Sequence, residues 1–528
     1  CAVYYWFFDN VLYGVPAAVL VIAMLPVGAF IGWFDALCLL LGACGAQTAP
    51  ALSETPEPTP TPVPVEFSLP YYADASLHPI TGQSRTNLTL ACLVYEGLFS
   101  VDNTFTAHPV LAERWNVSED GLTWTFTLAQ AVFSDGSPLT AAEAASSLEL
   151  ARTSDLYAGR LAGIQAVRVE EGALVVELIR PNTGLPALLD IPIAKETEGN
   201  APLGTGRYAF AGGEEKLYLK KTAAAAAGLP DKIALTQVRG ADDLIYAFDT
   251  KEVSLVTADL TGTDSLGYSG GYEVWDYPTT DLLYLGFRTD KGLCADPVLR
   301  QAVSLALDRD TVVTALFARH ARAAVLPVPP ESALYDEELA ARLAYSPQKA
   351  AELLAGAGYT LREGKLYQGR SQVSLELLVN TDNSFKLSAA EYLAGELEKL
   401  GITVRVVKLS WQDYTDRLAK GEFDLYLGET LLSADFDLTA LVGPSGVLNY
   451  GRWTNGEADA LLERFRSAGS GARPAAASAL YETLAREAPI VPICFKNQSV
   501  LTQWGQVTGL EPTRGDPFAG DQWRITHS

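Results

Sequence analysis

The first 43 residues are apolar almost without a break, carrying Asp9 and Asp35 but no Lys or Arg. A stretch of that kind can enter a bilayer. Prolines then alternate through Thr55-Pro56-Glu57-Pro58-Thr59-Pro60-Thr61-Pro62-Val63-Pro64. Alternate prolines bar helix and interior strand and favour extended polyproline II, a semi-rigid spacer of about 3.1 Å per residue. After Val65 the period changes to two, as in Phe67-Ser68-Leu69-Pro70-Tyr71, and a helical stretch is predicted over 87–93.

The Trp124/Phe126/Leu128 alternation predicts a half-buried strand, with Asp120-Gly121 before it as a hairpin turn. Thr140 followed by Glu143 is a capping box opening a helix. A second hairpin brackets Glu171-Gly172, joining 167–170 to 174–178. From about residue 285 helical and strand patterns alternate, which is the βαβ signature. Predicted helices there cover 297–307, a segment opened by Ser346-Pro347 and stopped by Gly358, 389–400 ended by Gly401, and 411–418. Predicted strands cover 375–379, 402–407 and 423–427. The fold class is therefore α/β, with a hairpin-rich first half and a βαβ second half.

Composition narrows the function. The 528 residues imply two to four domains at roughly 100–200 residues each. With 48% hydrophobic and 19% charged residues the chain is not a disordered polyampholyte. A net charge of −24 argues against nucleic-acid binding, which needs surplus Lys and Arg, and against attraction to anionic lipid. Four His and six Cys are too few and too scattered for a multi-metal enzyme. No cysteine pair has CxxC spacing, which removes zinc-ribbon and thioredoxin-type readings. No metal site and no cofactor is expected.

Cys44 is the exception among the cysteines. Leu41-Gly42-Ala43-Cys44 closes the apolar stretch and resembles a bacterial lipobox, in which the cysteine is lipidated and becomes the mature N-terminus. The competing reading is a transmembrane helix that happens to end in Cys. Apolar segment, cysteine, then stiff spacer is the layout of a module held off a membrane. Cys92, Cys294 and Cys494 are expected to be free thiols.

Catalytic motifs fail on context. Gly267-Tyr268-Ser269-Gly270-Gly271 matches GxSxG, but polar residues precede it and a β-type run follows, whereas a nucleophile elbow needs strand before and helix after. Ser346-Pro347-Gln348-Lys349 matches SxxK, and capping explains each residue. Gly204-Thr205-Gly206-Arg207-Tyr208 is glycine-rich but opens no helix. The chain reads as a non-enzyme.

An ordered set of short motifs then carries a resemblance. It includes Leu93-Val94-Tyr95-Glu96-Gly97-Leu98, Pro109 to Trp115, Ser118 to Phe126, Phe133 to Ala141 and Gly204 to Tyr208. In the second half come Val298 to Ala302, Leu307-Asp308-Arg309, Tyr345 to Ala350, Leu397 to Ile402, Phe423 to Tyr426 and Ala434-Asp435-Phe436-Asp437. Over roughly 67–500 this order resembles the extracellular solute-binding protein family 5, the peptide/nickel-type binding lipoproteins of ABC importers.

The resemblance implies a two-lobed periplasmic-binding-protein-like fold with an extra subdomain inserted in the first lobe. Lobe I would be 66–106, 201–284 and 493–528, the insert 107–200 and lobe II 285–492, after a 1–43 leader and a 44–65 lipidated Cys and linker. Hinge strands would run through 282–287 and near 490–495. It implies capture of oligopeptides or similar small solutes and delivery to permease subunits, on the extracytoplasmic face of a bacterial membrane, by a lipid-anchored monomer. The alternatives are a binder of a nickel chelate or other non-peptide solute, and a lipid-anchored hydrolase built on Ser269.

In peptide-binding relatives an Asp in a Trp-x-Ala-Asp-Tyr-like segment pairs with the peptide's α-amino group, and Asp435 aligns with it. Phe436 follows it, while the family Trp is replaced within Glu429-Thr430-Leu431-Leu432-Ser433. A carboxylate in a closing cleft makes a strong charge-assisted hydrogen bond to an ammonium. The same Asp could instead cap a loop. By analogy Tyr95 and Glu96 fall at the cleft edge, and Trp411 could form an aromatic wall or simply pack on Tyr414.

Overall fold

The computed structural model describes residues 66–526, apart from 200, 214–215 and 263–266. The apolar leader, Cys44 and the Pro-rich linker lie outside the described residues. Among the described residues no helix is long and apolar enough to cross a membrane.

Two unusually long strands, Tyr272–Phe287 and Ile490–Gln503, pair antiparallel along most of their length. One flank of the second long strand carries Leu255–Ala258, and Ala321–Ala323 also pairs with it. The first long strand carries Leu425–Leu431, and the sheet continues through Ser374–Asn380 to Thr403–Leu409. The last three are mutually parallel, joined by the helices Ser384–Lys399 and Trp411–Lys420, so the predicted βαβ alternation is present. Pairing of the long strands with each other lapses between Pro278 and Leu282, although Asp281 still pairs with Leu431 on the other side.

Two further sheets belong to the hairpin-rich half. Ser68–Tyr72, Lys232–Val238, Lys216–Lys221 and Tyr208–Gly213 form one in that order. Ala112–Val117, Thr123–Leu128, Ala173–Leu178 and Ile164–Glu170 form the other, under the helix Ala141–Thr153. Both predicted hairpins are there, with Gly121 and Gly172 in the left-handed region that their turns require. The sheet and its helix share one apolar core, including Trp124, Phe126, Leu148 and Val176.

Local signals translate into elements for identifiable reasons. Thr140 and Glu143 form the reciprocal capping box. In the helix Pro297–Ala306 the buried residues Leu299, Ala302, Val303 and Ala306 repeat at helical spacing, and Asp296 caps its start. Ser346 caps Pro347–Gly356, with Pro347 at the first position. Two boundaries differ from expectation by four residues or more. The helix expected at 389 begins at Ser384, because Asn383 accepts from the amides of Phe385 and Lys386 and caps a turn the apolar pattern does not show. The strand expected to end at Leu427 runs to Leu431: pairing with Asp281–Phe287 carries it through the polar Gly428-Glu429-Thr430.

Cys92, Cys294 and Cys494 are free thiols, as expected. Ser269 Oγ donates to Asp249 Oδ2 at 2.6 Å, and the His320 ring nitrogen Nδ1 stands 2.8 Å from Asp276 Oδ2. Each is therefore held by a carboxylate of its own.

Candidate functional site

A cavity of about 1040 Å³ opens beside the two long strands. Its wall joins segments remote in sequence: the helix Arg85–Val94 and the Tyr95-Glu96 that follows, Tyr277 and Gln498 of the long strands, and Thr430–Ser433. Tyr277 donates to Gln498 Oε1 at 3.0 Å, tying the strands together at the cavity floor.

Tyr95 and Glu96 line this cavity and are held from behind. The Tyr95 hydroxyl donates to the Pro202 carbonyl (2.8 Å), and Thr205 donates to Glu96 Oε2 (2.8 Å). Burial pushes the Glu96 carboxyl up, against the pull of that hydrogen bond and of Arg207. The glycine-rich motif is thereby explained without phosphate. A Cβ on Gly204 would sit 1.9 Å from the Val94 carbonyl oxygen, so only glycine lets the loop lie on the helix end and place Thr205.

Another part of the wall is built on Asp190. Arg514 Nη2 donates to one of its oxygens at 2.6 Å, and Arg160 Nη2 is ion-paired with the other at 2.7 Å. Arg207 holds Asp516 at 2.7 Å. These pairs pin the segment 513–521 to the cavity.

Asp435 is placed elsewhere. It is 4% exposed and does not form part of the cavity wall. Its Oδ2 accepts from Asn182 Nδ2 (2.7 Å), and its Oδ1 accepts from the Ser433 hydroxyl and the Asp437 amide. Its carbonyl accepts from Arg473 (2.6 Å). The carboxylate thus closes its own loop and ties it to the Asn182 turn, the capping role that Asp often serves. Phe436 is buried at positive φ and packs edge-on against Phe105. Asp437, two residues on, is the acid of this segment that reaches the cavity wall. Trp411 is 57% exposed, stacks on Tyr414 and lies away from the cavity.

A smaller chamber of about 380 Å³ shares Arg85, Tyr277, Thr430, Leu431, Gln498 and Arg514 with the main cavity. Its inner end is ionic. Lys496, 5% exposed at the side chain, donates to Asp259 Oδ2 (2.8 Å) and Glu429 Oε1 (3.2 Å) and lies 3.6 Å from Asp281 Oδ2. Lys386 Nζ is 3.3 Å from Glu429 Oε2. Burial alone would raise all three carboxyls. Lys386 and Lys496 override it at Glu429, and Lys496 and Thr261 override it at Asp259, so both are held below the usual range. Asp281 is pushed up to about 7 by burial and then by the charge of Glu429, with Lys496 opposing.

Residue-by-residue reading did not single out Asp259, Asp281, Glu429 or Lys496. The available signal was a charged residue interrupting an apolar strand, as Lys496 does after Ile493-Cys494-Phe495 and Glu429 after Leu425-Tyr426-Leu427.

Comparison with known proteins places this geometry. Residues 106–445 match the model of bacterial extracellular solute-binding proteins, family 5. A Brucella ovis protein named as an ABC transporter peptide-binding protein is 30% identical over 281 residues, covering 47% of this chain and 51% of that one. The chain thus spans about half the length of the curated relatives it matches first. Among solved structures, a periplasmic murein-tripeptide-binding protein in its unliganded open form superposes with a TM-score of 0.73 at 22% identity, over 88% of this chain and 97% of the other. A nickel ABC transporter protein from Bacillus halodurans gives 0.72 at 20% identity, over 87% and 100%. The fold is that of the two-lobed periplasmic binding proteins. The chain belongs to the bacterial extracellular solute-binding proteins of family 5.

Proposed function

We propose that this protein is the extracytoplasmic receptor of an ABC importer, capturing a short peptide or similar small solute in its cleft and presenting it to the permease subunits. The observation that carries the reading is the cavity of about 1040 Å³, whose wall is shared by remote chain segments. Ligand pockets commonly run from about 300 to about 1,000 Å³, so this one suits a peptide of a few residues.

In this reading the lobes are 66–106 with 201–284 and 493–528, and 285–492, with 107–200 inserted in the first. The long strands act as the hinge. Support comes from their pairing with each other and from the lapse between Pro278 and Leu282 at the cavity floor. Closure about such strands excludes water and strengthens every polar contact inside. The receptor works as a monomer, held to the membrane through lipidated Cys44 and the Pro-rich spacer.

A second reading, capture of an anionic metal chelate, draws on Arg85, Arg160 and Arg514 along the same wall. Among the described residues no group of three or more His, Cys, Asp or Glu is placed to hold a metal ion, so a metal would arrive inside its chelator. Native mass spectrometry of protein purified without denaturation tests both. A peptide released on denaturation supports the first reading and a metal complex the second. The absence of any adduct, with no melting shift from a tripeptide pool or from nickel with histidine, contradicts both.

A further inference from the structure

The motif Gly204 to Tyr208 serves two parts of the cavity wall at once. The Gly206 amide donates to the Val94 carbonyl at 2.9 Å, and a Cβ on Gly206 would sit 2.6 Å from the Val94 carbonyl carbon. The motif backbone therefore lies directly on the end of the helix Arg85–Val94, an approach that only glycine permits. From there Thr205 reaches Glu96, and Arg207 reaches the segment 512–521. Arg207 Nη1 donates to the carbonyls of Phe518 (2.8 Å) and Gly520 (2.7 Å), while its Nη2 donates to Asp516 Oδ2 (2.7 Å).

The segment so gripped has an unusual attachment. Thr513 to Pro517 and Ala519 to Asp521 line the main cavity. Among the described residues, the backbone-to-backbone hydrogen bonds of 512–521 stay within the segment, joining Asp516 to Thr513 and to Ala519. Its polar ties to the rest of the protein run through side chains. Besides Arg207 these are Arg514 to Asp190, Asn103 Nδ2 to the Pro512 carbonyl (3.0 Å) and Arg524 Nη1 to the Asp521 carbonyl (2.6 Å). Phe518, fully buried against Trp523, is the apolar anchor in its middle. A wall without backbone pairing to its surroundings takes its position from such ties, and Arg207 alone supplies three hydrogen bonds from one rigid fork.

Cys92, on the helix Arg85–Val94, lines the cavity beside this segment. Burial, and next the charge of Asp516, push its thiol well above the ordinary value, with Arg207 opposing. The thiol therefore reports where the segment lies.

We propose that Arg207 is a positioning residue of the binding site, holding the segment 512–521 as a preformed wall of the cavity. This rests on the solute-receptor reading above and adds to it a function for the Gly204–Tyr208 motif. Ordering a loop at the moment of binding costs affinity, and a wall fixed beforehand removes that cost.

The test follows iodoacetamide alkylation of individual cysteines in the whole protein by peptide mass spectrometry, beside calorimetric titration with a pool of unmodified tripeptides. Arg207→Gln is expected to speed alkylation of Cys92 roughly tenfold or more, because the segment moves off the thiol and takes Asp516 with it. Cys294 and Cys494, both buried, are expected to keep their wild-type rates. Tripeptide affinity is expected to fall roughly tenfold. Arg207→Lys keeps the charge beside Asp516 but not the fork, so it should lie between, and it is the second variant if Arg207→Gln folds poorly. A Cys92 rate unchanged in both variants overturns the proposal. So does a rise shared by Cys92, Cys294 and Cys494, which would mark loosening of the whole fold. A selective rise at Cys92 with unchanged tripeptide affinity overturns it too, since the segment would then not serve the ligand. If wild type binds no tripeptide, the peptide reading fails, and the Cys92 rate still decides whether Arg207 holds the wall.

Discussion

Lys496 and Glu429 reach each other at 3.2 Å although the strand Tyr272–Phe287 runs between the strands that bear them. Lys496 also holds Asp259 at 2.8 Å, beyond the end of Leu255–Ala258. One buried ammonium therefore joins three strands where the cavity floor lies. The contacts hold it charged: despite burial, its pKa is driven above the ordinary lysine value by Glu429, Asp281 and Asp259.

Lys496→Met should be costly. It leaves Asp259, Asp281 and Glu429 together with only Lys386 in contact, and removing one partner of a buried ion pair typically costs ~3–5 kcal/mol. The double variant Lys496→Met/Asp281→Asn should recover part of that, because one of the stranded charges is gone. Denaturant unfolding of the three proteins measures it. A single variant as stable as wild type would show that the cluster does not hold the strands.

Asp281 sets a pH dependence whose sign is fixed. Its folded pKa is pushed up to about 7, above the unfolded value, so the folded state holds the proton more tightly. The stabilisation is fully present below the unfolded pKa and is lost as pH rises through about 7. Asp259 and Glu429 are held low, so their contribution is present above their unfolded pKa and is lost only in acid. Wild type should therefore lose on the order of 1–3 kcal/mol relative to Asp281→Asn between about pH 5 and about pH 8. Parallel stability curves for the two proteins would contradict it.

Asp435→Asn separates two roles. Turned either way, an asparagine there sets its NH2 group against a donor, the NH2 of Asn182 or the amide of Asp437, so stability should fall by about 1–3 kcal/mol. Tripeptide affinity should stay within roughly threefold of wild type. A large affinity loss with unchanged stability would instead return the amine to Asp435.

Much of the fold was legible because its signals are local. The capping box at Thr140 and Glu143, the stop at Gly401 and the apolar face of Pro297–Ala306 each depend on residues within a few positions of one another. The site was legible only in part. Tyr95 and Glu96 line the cavity. The cluster of Asp259, Asp281, Glu429 and Lys496 depends on which strands lie side by side, and that register is set by long-range packing rather than by any local pattern. Asp435 was singled out by motif position, and its partner Asn182 lies 253 residues away.

The proposed membrane link rests on Cys44. Cys44→Ala expressed from the full-length gene should leave the membrane fraction and keep its leader. Unchanged fractionation and processing would favour a transmembrane anchor.

The most direct test is a crystal structure of the protein with a bound tripeptide carrying a free amino terminus. The account predicts the peptide in the main cavity, between Tyr95-Glu96 on one side and Thr430–Ser433 on the other. A peptide seated outside the cavity would contradict it.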